Sequence, residues 1–238
     1  MPPVSTASAA VALTGGQDVV SLAAQRNCRG CGQVLLDNDD VRLQLPGLRG
    51  DDWLLRLEGQ YEGRRMLLNV TRADIQCRLT APGSHVDMLG LYIAEGTQHL
   101  DHETLQDHIA PHASSNLLFK GALNDETRSV FRGLIRVHPG AQRTDAYQTN
   151  RNLILSEDAH ADSLPNLEIE ADDVRCSHGA TIGQQDEAQT FYLMSRGLTR
   201  AQAEKLIVSG FFEEVLSRVD VEPLHRRLSG VVEEKLGA

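Results

Sequence analysis

Two hydrophobic periods divide the chain. Between Asp51 and Gly183 apolar residues arrive in short runs, among them "WLLRLEG", "RMLLNVT", "HVDMLGLYIA", "NLLFKGAL", "VFRGLIRVH", "NLILS" and "NLEIEADDVRC". Several alternate apolar with polar, as Leu167-Glu168-Ile169-Glu170 does, and Gly, Asp, Asn and Pro stand between them. Alternation at a period of two buries one face of each run and wets the other, which predicts strands. A weak self-similarity runs through the region. "PGSHVDML", "PGAQRTDAY", "EDAHADSL" and "ADDVRCSHG" each read as a turn followed by a short alternating strand. Irregular recurrence at roughly 15–25 residues points to a β-solenoid, whose coils bury their inner faces only by stacking on one another. An antiparallel sandwich is the competing reading, but the Asn-Gly and Asp-Gly hairpin turns that favour it are absent here.

After Gly183 the period lengthens. "DEAQTFYLMSRGL" opens with Asp186 and Gln189 in capping-box spacing and closes with Arg196 in the last turn and Gly197 at a C′ position. "LTRAQAEKLIVSGFFEEVLSRV" has a second box at Thr199 and Gln202, and Ala203, Leu206, Ile207, Phe211, Val215 and Val219 recur near helical spacing. Pro223 suits the first turn of a third helix, with Leu224, Leu228, Val231, Val232 and Leu236 on one side. The expected organisation is an N-terminal segment over 1–50 with little periodicity, a solenoid over 51–185 and a small helical unit over 186–238.

Composition narrows the picture. With 238 residues and 41% hydrophobic content the chain can build a substantial core, and with aromatics at 4% that core must be aliphatic. A net charge of -10 repels phosphate backbones and anionic bilayers, which weighs against nucleic acid or a membrane surface as partner. No apolar run approaches the ~20 residues that span a bilayer. The first positive charge is Arg26, so the start of the chain lacks the basic region of a secretory signal and is expected to be a poorly ordered end. Four cysteines, Cys28, Cys31, Cys77 and Cys176, do not make a disulfide framework, so a reducing cytoplasm is expected.

Three places could carry chemistry. Cys28-Arg29-Gly30-Cys31 is a lone CxxC; a structural zinc site wants four ligands and a redox motif wants a strand–CxxC–helix setting, so two incidental thiols in a turn is the favoured reading. "GTQHLDHETLQDHIAPHASSN" packs His99, His102, His108 and His112 with Asp101, Glu103 and Asp107. That density could bind zinc or iron. The spacing is not HExxH, however, and a solenoid sends neighbouring residues to opposite sides, so dispersed histidines are expected. In "ADDVRCSHGATIG", Cys176 and His178 stand at i and i+2, which puts them on one face of a strand. They form either half of a metal clip, a thiolate–imidazole pair, or a buried cysteine beside a hydrogen-bonded histidine. A Cys–His protease also needs an orienting group and an oxyanion hole, and no such signature is present.

From Gly90 to Val219 the chain resembles the SufB/SufD family of iron–sulfur cluster assembly proteins. The resemblance rests on "GLYIAEGTQHLDHETLQDHIAPHASSNLLFKGAL", "GLIRVHPGAQRTDAYQTNRNLILSEDA", "LEIEADDVRCSHGATIGQQDEAQTFYLMSRGL" and "AEKLIVSGFFEEVL". It is looser over 51–89 and absent before. The stretch "CSHGATIG" is similar to the SufD side of the family; SufB reads more like "VEHEATTS", with acids where this chain has Cys176 and Gly179. The resemblance implies a right-handed parallel β-helix followed by a helical domain. It implies pairing with SufB through the β-helices and binding of the ATPase SufC by the helices. It also implies a non-catalytic role in which His178, supported by Cys176, meets a SufB cysteine and shares iron or a nascent cluster that neither chain keeps. The sequence has no GxxxxGK[ST] loop of its own for ATP. A polysaccharide-active solenoid enzyme is the rival from another class; one Trp and few aromatics leave it without sugar platforms. An interaction module without cluster chemistry is the third reading.

Overall fold

The computed structural model describes residues 6–14, 20–26, 33–37, 40–44, 56–60, 70–219 and 222–236, with side chains from residue 75 onward apart from those of Pro223 and Leu224. Among the described residues, thirteen strands precede three helices. The strands are β1 (Thr6–Thr14), β2 (Val20–Arg26), β3 (Gln33–Asp37), β4 (Asp40–Gln44), β5 (Arg56–Gln60), β6 (Val70–Leu79), β7 (His85–Ala94), β8 (His99–His108), β9 (Ser114–Leu123), β10 (Arg128–Val137), β11 (Asp145–Ile154), β12 (His160–Ile169) and β13 (Arg175–Gln184). From β6 onward they alternate between two sheets. Sheet A runs β13-β11-β9-β7-β1-β2, and sheet B runs β12-β10-β8-β6-β5-β4-β3. All pairings from β6 to β13 are parallel. The body is therefore a parallel β-solenoid, as the strand pattern and the resemblance both implied, and not a sandwich.

Paired residues lie 29 to 32 positions apart, from Val70↔His99 at the short end to Arg128↔His160 at the long one. One coil is thus two ten-residue strands and two corners. The self-similarity in the sequence caught half coils, because every strand is introduced by its own corner. Corners before sheet A recur at positive φ: Gly83 (72°), His112 (59°) and Arg143 (60°). They are stitched by a backbone ladder, Gly83 N–H to Pro111 O, His112 N–H to Gln142 O and Arg143 N–H to Asp173 O. His112 is therefore a corner residue, in a conformation that His tolerates better than a β-branched residue would.

Within 1–50 the described residues include β1 to β4. β1 lies parallel along β7, with Thr6 opposite His85, and β2 to β5 turn antiparallel. An Ala/Ser-rich run has a weak strand signal by itself; the neighbouring edge supplies the pairing that defines it.

Inside the coils, Ile75, Leu79, Met88, Tyr92, Leu117, Phe119, Leu123 and Phe131 form the main core. Gly90 and Gly121 give it room: a Cβ at Gly121 would sit 2.1 Å from the Tyr92 ring. The lumen also holds polar groups that the apolar runs did not foretell. The Tyr92 hydroxyl donates to Asn152 Oδ1. Asn150 Nδ2 donates to the Tyr92 hydroxyl at 3.3 Å, and Asn152 Nδ2 donates to Asn150 Oδ1 at 2.8 Å. The readable sign was the i, i+2 asparagine pair in "QTNRN".

Three helices follow: α1 (Glu187–Ser195), α2 (Arg200–Leu216) and α3 (Glu222–Lys235). Thr199 and Gln202 make the reciprocal capping box the spacing predicted. Asp186 caps α1 by accepting from Ala188 N–H at 2.8 Å, without a return bond from Gln189. Gly197 ends that helix at φ 97°, as its position foretold. Helices α2 and α3 cover the outer face of sheet A: Val208, Phe212, Val215, Leu216, Leu228 and Val232 pack on Leu89, Leu91, Ile93, Leu118 and Ala122. The buried stripe of α2 is rotated from the expected one. Val208 and Phe212 point to the sheet, while Leu206 is 53% exposed. Helix α2 is apolar over more than one face, so its period alone could not choose; the sheet chose. Lys120 on β9 reaches up into the joint. Its ammonium donates to Phe211 O at 2.8 Å, pairs with Glu214 at 2.5 Å and lies 4.5 Å from the Phe211 ring.

Candidate functional site

Strand β13 is the last of sheet A, and β12 the last of sheet B. Among the described residues no strand pairs with either outer edge. On β13, Cys176 and His178 stand in register with Ala146 and Gln148 of β11, whose side chains are buried in the lumen. Both candidate residues thus occupy lumen-facing positions, on one side of the strand as expected. With no further coil above, His178 is exposed and Cys176 only half-buried. Their Cα atoms lie about 7 Å apart along the strand, which leaves space between the side chains for a third group.

Cys176 rests on a small apolar cluster of Ile135, Val137, Ala141, Ala146 and Ala171. Burial raises its thiol pKa above the ordinary range; a backbone hydrogen bond from Ala146 opposes this, and the charge of Asp145 adds to it. The thiol is therefore harder to ionise than a free cysteine, and a bound metal would favour its thiolate. His178 has no hydrogen-bond partner among the described residues, so its ring is free to turn toward an incoming group. Directly beneath it, the buried Gln148 uses its amide N–H on Gly133 O and Asn166 O, while its Oε1 has no partner.

The histidine-rich segment is dispersed, as the solenoid reading required. His99 and His112 stand on the outer face of β8 and at a corner. His102 and His108 point into the lumen, fully buried, and burial pushes both down to about 4. The His102 ring lies 4.5 Å from that of Tyr92, and neither of its nitrogens has a partner. His108 Nε2 meets Ser115 Oγ at 2.8 Å. Asp101 holds Arg132 with both oxygens, and Asp107 holds His138 at 2.8 Å. No three His, Cys, Asp or Glu residues gather as a metal cage among the described residues. Cys77 is a core thiol pushed up to about 12, chiefly by burial. Cys28 and Cys31 lie outside the described residues. No described helix is long and apolar enough to cross a membrane.

A second feature escaped the sequence reading. Helix α1 buries only Thr190, and it leaves Phe191 72%, Tyr192 56% and Met194 41% exposed. On α2, Leu206 is also exposed, at 53%. The unbroken apolar run Phe191-Tyr192-Leu193-Met194, too wide for one buried stripe of a short helix, was the available signal.

Residues 64–211 match the family model described as SUF system FeS cluster assembly, SufBD core domain. That span contains the site and well over half of the chain. An iron–sulfur cluster assembly SufBD family protein of Mycobacterium leprae is 41% identical over 175 residues, covering 70% of this chain and 45% of that protein. The iron–sulfur cluster assembly protein SufD of Escherichia coli is 35% identical, covering 70% of this chain and 40% of its own. For SufD of Bacillus subtilis the figures are 33%, 70% and 38%. The chain spans less than half the length of these relatives.

Proposed function

The chain belongs to the SufBD family of SUF-system iron–sulfur cluster assembly proteins, and from that premise we propose that it serves as a SufD-like, non-catalytic scaffold subunit in the cytoplasm. The observation that carries the reading is the place of Cys176 and His178, on lumen-facing positions of the last strand, whose outer edge is unpaired among the described residues. Arg175 N–H donates inward to Thr144 O, so by alternation the N–H groups of Cys176, His178, Ala180, Ile182 and Gln184 point to the open side. A SufB strand adds there and brings its own side chains beside the two donors.

Iron or a nascent cluster is the cargo of this junction. Imidazole is a competent iron ligand, and a thiolate adds softness and charge. His178 leads, because it is exposed and unengaged; Cys176 assists, because its raised thiol must first give up a proton. Two donors from this chain hold cargo loosely without the partner's cysteine, which suits a cluster that is handed on. SufC docks on the exposed apolar side chains Phe191, Tyr192 and Met194 of α1 and Leu206 of α2, since patches of this kind mark interaction sites. ATP is hydrolysed by SufC, because this sequence has no phosphate-binding loop.

The test is co-expression with the SufB and SufC of the same genome, followed by iron and sulfide analysis of the purified complex. His178→Ala should keep folding and association but lower the cluster content, and Cys176→Ser should lower it less. A normal cluster load in the His178→Ala complex makes His178 structural and favours an interaction module without cluster chemistry.

A further inference from the structure

The outer face of sheet B is laddered by charge. Arg78, Asp107, Arg136 and Glu168 stand in one register column across β6, β8, β10 and β12, so the sign alternates at every coil. Arg78 Nε lies 3.5 Å from Asp107, Arg136 Nε 4.0 Å from Glu168, and Arg136 Nη2 3.8 Å from Glu170. Facing opposite charges across strands favour the pairing, and facing like charges oppose it. The column stops at Glu168, which is 59% exposed on its open side. Leu164, 51% exposed, stands four residues before it on the same face.

The backbone of this edge is poorly equipped to set a register by itself. His160 and Glu170 donate their N–H groups inward, to Thr127 O and Val137 O. The odd-numbered residues between them therefore face the open side, and the central one, Pro165, has no N–H to offer. Register along β12 falls to the side chains.

We propose that the strand docking on β12 belongs to a different chain and sets a lysine or arginine against Glu168, with an apolar residue beside Leu164. This rests on the reading that the open end pairs with SufB, and it names the chemistry of that contact. A second copy is a poor occupant, because the outward residues of its own β12 are His160, Asp162, Leu164, Asn166 and Glu168, acidic at both flanks. The net charge of -10 adds to the mutual repulsion.

The experiment measures the affinity of the full chain for SufB at about 0.05 M and about 0.3 M salt, where screening differs strongly. Glu168→Lys should weaken binding about tenfold at the lower salt, and Glu168→Gln should flatten the salt dependence. Ile182→Asp, at the apolar rim of β13, is the control for docking itself. If Glu168→Lys binds as the unaltered chain does while Ile182→Asp abolishes binding, the charge register is wrong and the docking reading stands. If neither change matters, the docking reading fails with it. A dimer of this chain alone that Glu168→Lys dissolves assigns the edge to a second copy and overturns the proposal.

Discussion

Strands β9 and β13 occupy equivalent places in sheet A, two coils apart, yet they live in different surroundings. On β9 the outward positions hold Leu118, Lys120 and Ala122, all buried beneath α2 and α3. The same three register positions on β13 hold Gly179, Thr181 and Gly183, none of them buried. The lumen-facing positions differ as sharply: Leu117, Phe119 and Leu123 in one, His178, Ala180 and Gln184 in the other. A solenoid coil is stable through its neighbours. The middle coils have neighbours on both sides and a helical roof, so they are filled with bulk. The last coil has a neighbour on one side only, and its lumen-facing side chains, Ile182 included, are left partly or wholly exposed.

The sharpest way to break this contrast is to empty the roof. Phe212→Ala removes a fully buried ring from the joint between α2 and sheet A and should cost about 3–5 kcal/mol. Ile182→Ala, at a position 47% exposed on the last coil, should stay within about 0.5 kcal/mol. Urea unfolding midpoints compare the two directly; equal losses would mean that both coils are packed alike.

Acid should separate the buried lumen from the open end. His102 and His108 have folded pKa values of about 4 against 6.5 for the free side chain, mainly because burial disfavours the charged ring. The unfolded chain binds protons that the folded chain refuses between those values. Stability therefore holds above about pH 6.5 and falls as pH drops toward 4, by roughly 3 kcal/mol for each ring at full protonation of the unfolded state. His102→Phe should make that fall shallower in a series of denaturant midpoints against pH. An unchanged slope would show that His102 is not held neutral by the fold.

The smallest contrast is between two glycines. Gly121→Ala drives a methyl group into Tyr92 and toward Asn152 Oδ1, which should cost about 1–3 kcal/mol. A Cβ at Gly183 meets nothing within 4 Å, so Gly183→Ala should leave the thermal midpoint almost unmoved. A large loss at Gly183 would mean that the last coil is more crowded than its exposed face implies.

Much of this architecture was legible along the chain because it depends on short-range rules. Strand alternation, the Thr199–Gln202 box and the Gly197 terminus are local, and each appears where its residues stand. The one-sided placement of Cys176 and His178 is local too, since side chains at i and i+2 of any strand share a face. Other features needed partners distant in sequence. Whether α2 buries Leu206 or Phe212 depends on which side meets sheet A, and the helix is apolar enough for either. Lys120 finds Glu214 and Phe211 about ninety residues later in the chain.

The sequence by itself determined the alternating strands of the solenoid body, the helix caps and the placing of a thiol and an imidazole on one strand face. Only the tertiary structure decided that this face belongs to the last coil, that His102 and His108 are buried while His178 is open, and that Arg78, Asp107, Arg136 and Glu168 form one column. The reason lies in the geometry of stacking. A coil of about thirty residues places each side chain over another one full turn away, and that neighbour is set by corner lengths summed around the coil, which no local window of sequence contains.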